Sequence, residues 1–143
     1  IAYAESRDGL HWTKPVDGLL VAPRGFDVKP YEYICSKPCV IKGQNGYVMW
    51  VNTFGTAYRV HRLVSRDGLQ WQWTKRCGPD GELDIGNDGA FDDQQRSYPT
   101  VVSDNGALHC WFTGNGFGAT GIGYAVNHPA DVVSEDDAVH RTP

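Results

Sequence analysis

Apolar residues in this chain come in short bursts of six to nine positions, each closed by glycine, proline, asparagine, aspartate or a charged residue. The bursts are GYVMWVNTF, YRVHRLVS, LQWQWTK, YPTVVS, ALHCWFTG and GIGYAV. They are rich in aromatic and β-branched side chains, which fit the pleated, half-buried surface of a strand. The best helical candidate is DVVSEDDAV at 131–139. It is short and acidic, and residues 127–143 read as a polar C-terminal tail. The pattern therefore predicts an all-β domain over residues 1–126.

The bursts are ordered by a repeat. SKPCVIKGQNGYVMW (36–50) lies against SYPTVVSDNGALHCW (97–111), so that Pro38 matches Pro99, Val40 matches Val101 and Trp50 matches Trp111, all 61 residues apart. Each unit reads as an acidic loop, a Ser-x-Pro strand, a turn, an aromatic strand, a third strand, a Ser-x-Asp-Gly turn and a Trp strand. Four strands repeated on this scale describe the blade of a β-propeller. The chain then supplies the last two strands of one blade (1–14), a complete blade (about 34–76) and three strands of another (about 97–126).

One heptad appears twice, as SRDGLHW at 6–12 and SRDGLQW at 65–71. Asp8-Gly9 and Asp67-Gly68 are turn signals, because glycine tolerates positive φ and aspartate accepts hydrogen bonds from turn amides. No base or oxyanion donor recurs beside Ser6 and Ser65, so the heptad is a structural joint. Trp12 and Trp71 enter the next strand, and these two with Trp50 and Trp111 are expected to be at least partly buried. A third motif, GFGATG at 116–121, satisfies the glycine spacing of a dinucleotide site. The strand-like IGYAVNHP follows it instead of a helix, so no helix N-terminus would hold a pyrophosphate.

Composition narrows the partners. The net charge of −4 speaks against nucleic acid and against an anionic membrane, both of which call for a basic patch. No apolar run is long enough for a spanning helix. The four cysteines, Cys35, Cys39, Cys77 and Cys110, allow two disulfides but match no zinc spacing. Small buried thiols are the simpler reading, and the compartment stays open. The five histidines form no ligand set, so neither a metal nor a cofactor is expected. The chain opens on IAYAES, inside a strand and without a Met or a basic leader. That reads as a piece of a longer frame or its truncated descendant.

The segments YRVHRLVSRDGLQW, IAYAESRDGLHW and FTGNGFGATGIGYAV resemble the arabinanase, levansucrase and invertase superfamily of five-bladed propellers, similar to glycoside hydrolase families 43 and 32. The resemblance covers residues 1–126 and implies about two to two and a half four-stranded antiparallel blades, the C-terminal half of such a propeller. It implies a carbohydrate-active domain, part of a hydrolase of furanosides or related sugars. Hydrolases of this superfamily use three carboxylates from different early blades. In YEYICSKP, Glu32 matches the family's acid while Lys37 stands where arginine is usual. In FDDQQRSYP, Phe91, Asp92, Tyr98 and Pro99 fit, but Gln94 replaces a glutamate. An amide keeps the hydrogen-bonding shape and cannot carry a proton. The alternative is a non-catalytic fragment that binds glycans or only assembles, and no catalytic residue is assigned.

The loops gather what a sugar site needs. Asp27, Glu32 and Lys37 precede one innermost strand, and Asp92, Asp93, Arg96 and Tyr98 precede the next. Carboxylates take hydroxyl pairs, Lys and Arg donate to oxygens, and aromatic rings stack on apolar sugar faces. The same residues also read as solvated loop charges or structural ion pairs. Glu32 and Asp92 are expected to line one shared cleft. The two open ends of the partial propeller predict a homodimer that closes the ring.

Overall fold

The computed structural model describes residues 1–27, 31–74 and 83–127. Its strands are β1 (Ile34–Gly43), β2 (Gly46–Phe54), β3 (Tyr58–Ser65), β4 (Gln72–Trp73), β5 (Ser97–Asp104), β6 (Ala107–Thr113) and β7 (Ile122–Asn127). β1 to β4 form one antiparallel meander in sequence order, and β5 to β7 form a second. The single helical turn among the described residues, Asn115–Gly118, has Gly116 and Phe117 in the left-handed region. It is the hairpin loop between β6 and β7. The fold is all-β, with one complete four-stranded blade and one three-stranded blade of a partial propeller.

The first sheet is a middle layer. β2 is buried along most of its length because both its faces are covered. Val48, Trp50 and Val60 meet Val101, Cys110 and Phe112 of the second sheet. Met49, Val51 and Leu63 meet Val21, with Ile1 and Leu20 packed beside them. Two covered faces explain why β2 reads as a nearly continuous apolar run. β5 alternates buried and exposed residues at its start, since only one of its faces has a neighbour. Cys39 ties the layers together: its sulfur accepts from the Val101 amide at 3.2 Å and faces the Val101 carbonyl. Cys35 and Cys39 are free thiols.

Both heptads form the same turn. Ser6 Oγ accepts from the Gly9 amide and Asp8 Oδ1 from those of Leu10 and His11, each at 2.8 Å. In the second copy Ser65 Oγ accepts from Gly68, and Asp67 Oδ1 from Leu69 and Gln70, again at 2.8 Å. Trp12 and Trp71 each donate their indole N–H to the carbonyl of the turn glycine. Gly9 and Gly68 sit at φ 75° and 79°, where a side chain would be strained.

Two expectations need correction. Residues 1–14 form one antiparallel bridge, Glu5 to Thr13, in place of two strands. A hairpin with no third strand to extend it is marginal in water. Trp50 is buried and Trp71 is half-buried, but Trp12 is 63% exposed and Trp111 41% exposed. Trp12 belongs to that thin N-terminal hairpin, and Trp111 lies on the uncovered outer face of the second sheet. The helical candidate at 131–139, Cys77 and the tail beyond Asn127 lie outside the described residues.

Candidate functional site

The two innermost strands start with the same irregularity. On β1 the register slips between Ser36 and Cys39, and on β5 between Ser97 and Thr100. In each case a residue-proline pair bulges out opposite one residue of the neighbouring strand, Lys37-Pro38 in one sheet and Tyr98-Pro99 in the other. Proline removes a ladder donor and favours such a site. Lys37 and Tyr98 both have φ 55°, a conformation costing a bulky residue about 1–3 kcal/mol. The bulges turn both side chains outward and toward each other, so that Lys37 Nζ lies 5.0 Å from the centre of the Tyr98 ring. Asn52 fixes this geometry from β2. Its Oδ1 accepts from the Tyr98 amide at 2.7 Å, and its Nδ2 donates to the Arg96 carbonyl at 3.1 Å.

Shortly before each bulge in the sequence stands a buried carboxylate, Glu32 in one case and Asp92 in the other. Glu32 receives Arg24 Nε and Nη2, each at 2.7 Å, and the Thr53 hydroxyl at 2.6 Å. His61 Nε2 stands 3.4 Å from the same carboxylate. Asp92 receives Arg96 Nε at 2.7 Å, and its carboxylate lies so close against Gly86 that a Cβ there would collide with Oδ1. Each arginine rests on an aromatic ring, Arg24 on Trp73 and Arg96 on Phe112. The device of carboxylate, arginine and ring is thus built twice, once per blade.

The two carboxylates have separate partners. Glu32 joins Thr53, while Arg96, the partner of Asp92, joins the adjacent Asn52. Successive residues of a strand point to opposite faces, so Glu32 and Asp92 lie on opposite sides of the first sheet. Each is sealed by its own arginine. Burial raises the Glu32 carboxyl, but hydrogen bonds from His61, Arg24 and Thr53 and the charge of Arg24 outweigh it and hold the group at about 2. Burial pushes the His61 imidazole down, so it stays neutral beside Arg24. Burial pushes the Cys35 thiol up to about 11.

The other expected site residues have different surroundings. Asp27 and Lys37 are exposed. Asp93 accepts from Asn115 Nδ2 at 2.7 Å and from the Gly89 amide at 2.8 Å, and these bonds lower its carboxyl. Asn115 Oδ1 also accepts from the amides of Gln94 and Gln95, locking the acidic loop onto the β6–β7 hairpin. Arg24, Asn52, Thr53, His61 and Asn115 carried no signal in the sequence, because each acts on a residue brought close only by folding.

No family model matches the chain. Two curated relatives align over 126 residues: "Uncharacterized protein MT1551" of Mycobacterium tuberculosis (strain CDC 1551 / Oshkosh), 35% identical, and "Uncharacterized protein Rv1502" of Mycobacterium tuberculosis (strain ATCC 25618 / H37Rv), 34% identical. Each match covers 88% of this chain and 39% of the relative, so the chain spans about two fifths of their length. Among solved structures, one described as "Glycoside hydrolase" is similar with a TM-score of 0.60 at 16% identity. The match covers 98% of this chain and 37% of the other. A solved BT0996–RGII complex gives 0.59 at the same identity and coverage. The fold is glycoside hydrolase-like.

Proposed function

We propose that this chain is the glycan-binding part of a glycoside hydrolase-like propeller and does not hydrolyse sugars by itself. The observation that carries this reading is the state of the two buried carboxylates. A general acid or base must be able to reach a reacting proton. Glu32 and Asp92 are instead buried and closed by arginine, and Gln94 cannot carry a proton. In this reading Asp27, Lys37, Asp93 and Tyr98 touch sugar, while Glu32 and Asp92 with Arg24 and Arg96 keep a structural role. A second copy of the chain covers the outer face of the second sheet.

Turnover of aryl furanosides and pyranosides, measured beside binding to a glycan array, tests the proposal. The expected result is binding without turnover. Hydrolysis abolished by Glu32→Gln in a folded protein would refute it. A second reading rests on the length of the relatives: within a longer polypeptide these strands would form one wall of a hydrolase pocket, with the acids supplied by other blades. Turnover restored by a full-length form would favour it.

A further inference from the structure

We infer that Lys37, Tyr98 and Phe117 form the end of an aromatic track that takes a linear oligosaccharide, not a single sugar. This rests on the glycan-binding reading above and extends it to the size of the ligand.

Four non-glycine residues among those described have positive φ: Lys37, Tyr98, Asn105 and Phe117. Asn105 sits with Gly106 in a hairpin turn and is ordinary there. The other three are bulky, and they meet. The Lys37 ammonium faces the Tyr98 ring, and that ring meets Phe117 with centroids 6.0 Å apart. Strained side chains from β1, β5 and the β6–β7 hairpin thus converge on one exposed point, and strain of this kind persists where the surroundings and a function require it.

From that point the rings continue without a break. Phe117 meets Tyr58 at 5.5 Å, Tyr58 meets Phe54 at 4.6 Å, Phe54 meets Tyr33 at 5.3 Å, and Tyr33 meets Tyr31 at 5.8 Å. The track crosses the ends of both sheets, and Tyr31, Tyr33, Tyr98 and Phe117 are each more than two fifths exposed. Its members are all Phe or Tyr. An apolar ring edge or face beside a hydroxyl suits a sugar, which alternates C–H faces with hydroxyl groups. Lys37 at one end supplies a donor for those hydroxyls. The exposed aliphatic residues Val102, Ile122 and Val126 lie elsewhere, on the outer face of the second sheet, so the track is chemically distinct from a surface made for protein. Its length, five ring-to-ring steps from Tyr98 to Tyr31, exceeds one sugar.

The test is calorimetric titration of the whole chain with xylo-, arabino- and cello-oligosaccharides, from monosaccharide to hexasaccharide. Affinity should rise with chain length for one series. Tyr33→Ala should weaken the hexasaccharide about tenfold and leave the disaccharide nearly unchanged. Phe117→Gly should weaken both while the melting temperature holds or rises, because glycine accepts φ 57° without strain. A falling melting temperature with unchanged binding would make Phe117 a packing residue and overturn the inference, as would affinity independent of length. Absence of binding to any glycan would remove the underlying glycan reading as well.

Discussion

Arg24 and Glu32 keep only 7% and 6% of their side-chain surface in water and form a buried ion pair at 2.7 Å. Removing one partner of a buried pair leaves an uncompensated charge and costs about 3–5 kcal/mol. Glu32→Ala should lose stability of that order in urea unfolding, whereas Asp27→Ala, at an exposed loop position, should change little. The same group makes the fold sensitive to acid. The Glu32 carboxyl lies below its ordinary value of 4.5 in the folded chain, so its stabilisation is complete above that pH and is lost as pH falls toward about 2. His61 acts in the same direction. Its folded value lies below 6.5, so the unfolded chain gains a proton first and stability starts to fall below that pH. Unfolding free energy followed from pH 7 downward should therefore decline, and His61→Gln should flatten the first part of the decline. An unchanged slope in that variant would count against the assignment. None of this was legible in sequence: Glu32 stood out by position, but its partners lie at Arg24, Thr53 and His61.

At the scale of elements the sequence was more informative, because repetition carries register. The 61-residue offset placed Pro38 over Pro99 and Trp50 over Trp111, and the two bulges and two aromatic strands follow it. The duplicated heptad likewise folded into duplicate turns with matching hydrogen bonds. What the repeat could not show is which faces are covered. Trp50 and Trp111 are equivalent in sequence, yet Trp50 is 5% exposed and Trp111 41%. Only Trp50 has a neighbouring sheet. The aromatic track was hidden for a similar reason, since its rings come from segments far apart that meet at the strand ends. The unequal tryptophans make a direct prediction. Trp50→Ala should cost about 3–5 kcal/mol, the usual range for emptying a large core site, while Trp111→Ala in the monomer should cost far less. Equal losses in urea unfolding would contradict the layer order.

At the scale of the whole molecule, the open faces become the dominant feature. Val102, Trp111, Ile122, Tyr124 and Val126 are all exposed on the outer side of the second sheet. Trp111, Tyr124 and His109 stack there on one another. A face of this composition marks an interaction surface in a soluble protein. In the first sheet, the face equivalent to this one is covered by the next sheet, so a strand layer of similar chemistry is the natural cover. At the other end of the molecule Leu10, Trp12 and Leu19 are exposed on segments that pair little with the rest. A second copy can bring those residues onto the Trp111–Tyr124 face, and a twofold arrangement satisfies both ends at once. The chain is therefore expected to form a homodimer. Sedimentation equilibrium at micromolar concentration should give a dimer mass, and Tyr124→Lys should shift it to monomer without loss of the β-sheet circular dichroism signal. A wild-type chain that stays monomeric and folded at high micromolar concentration would exclude the dimer, and would mean that the outer face tolerates water as it stands.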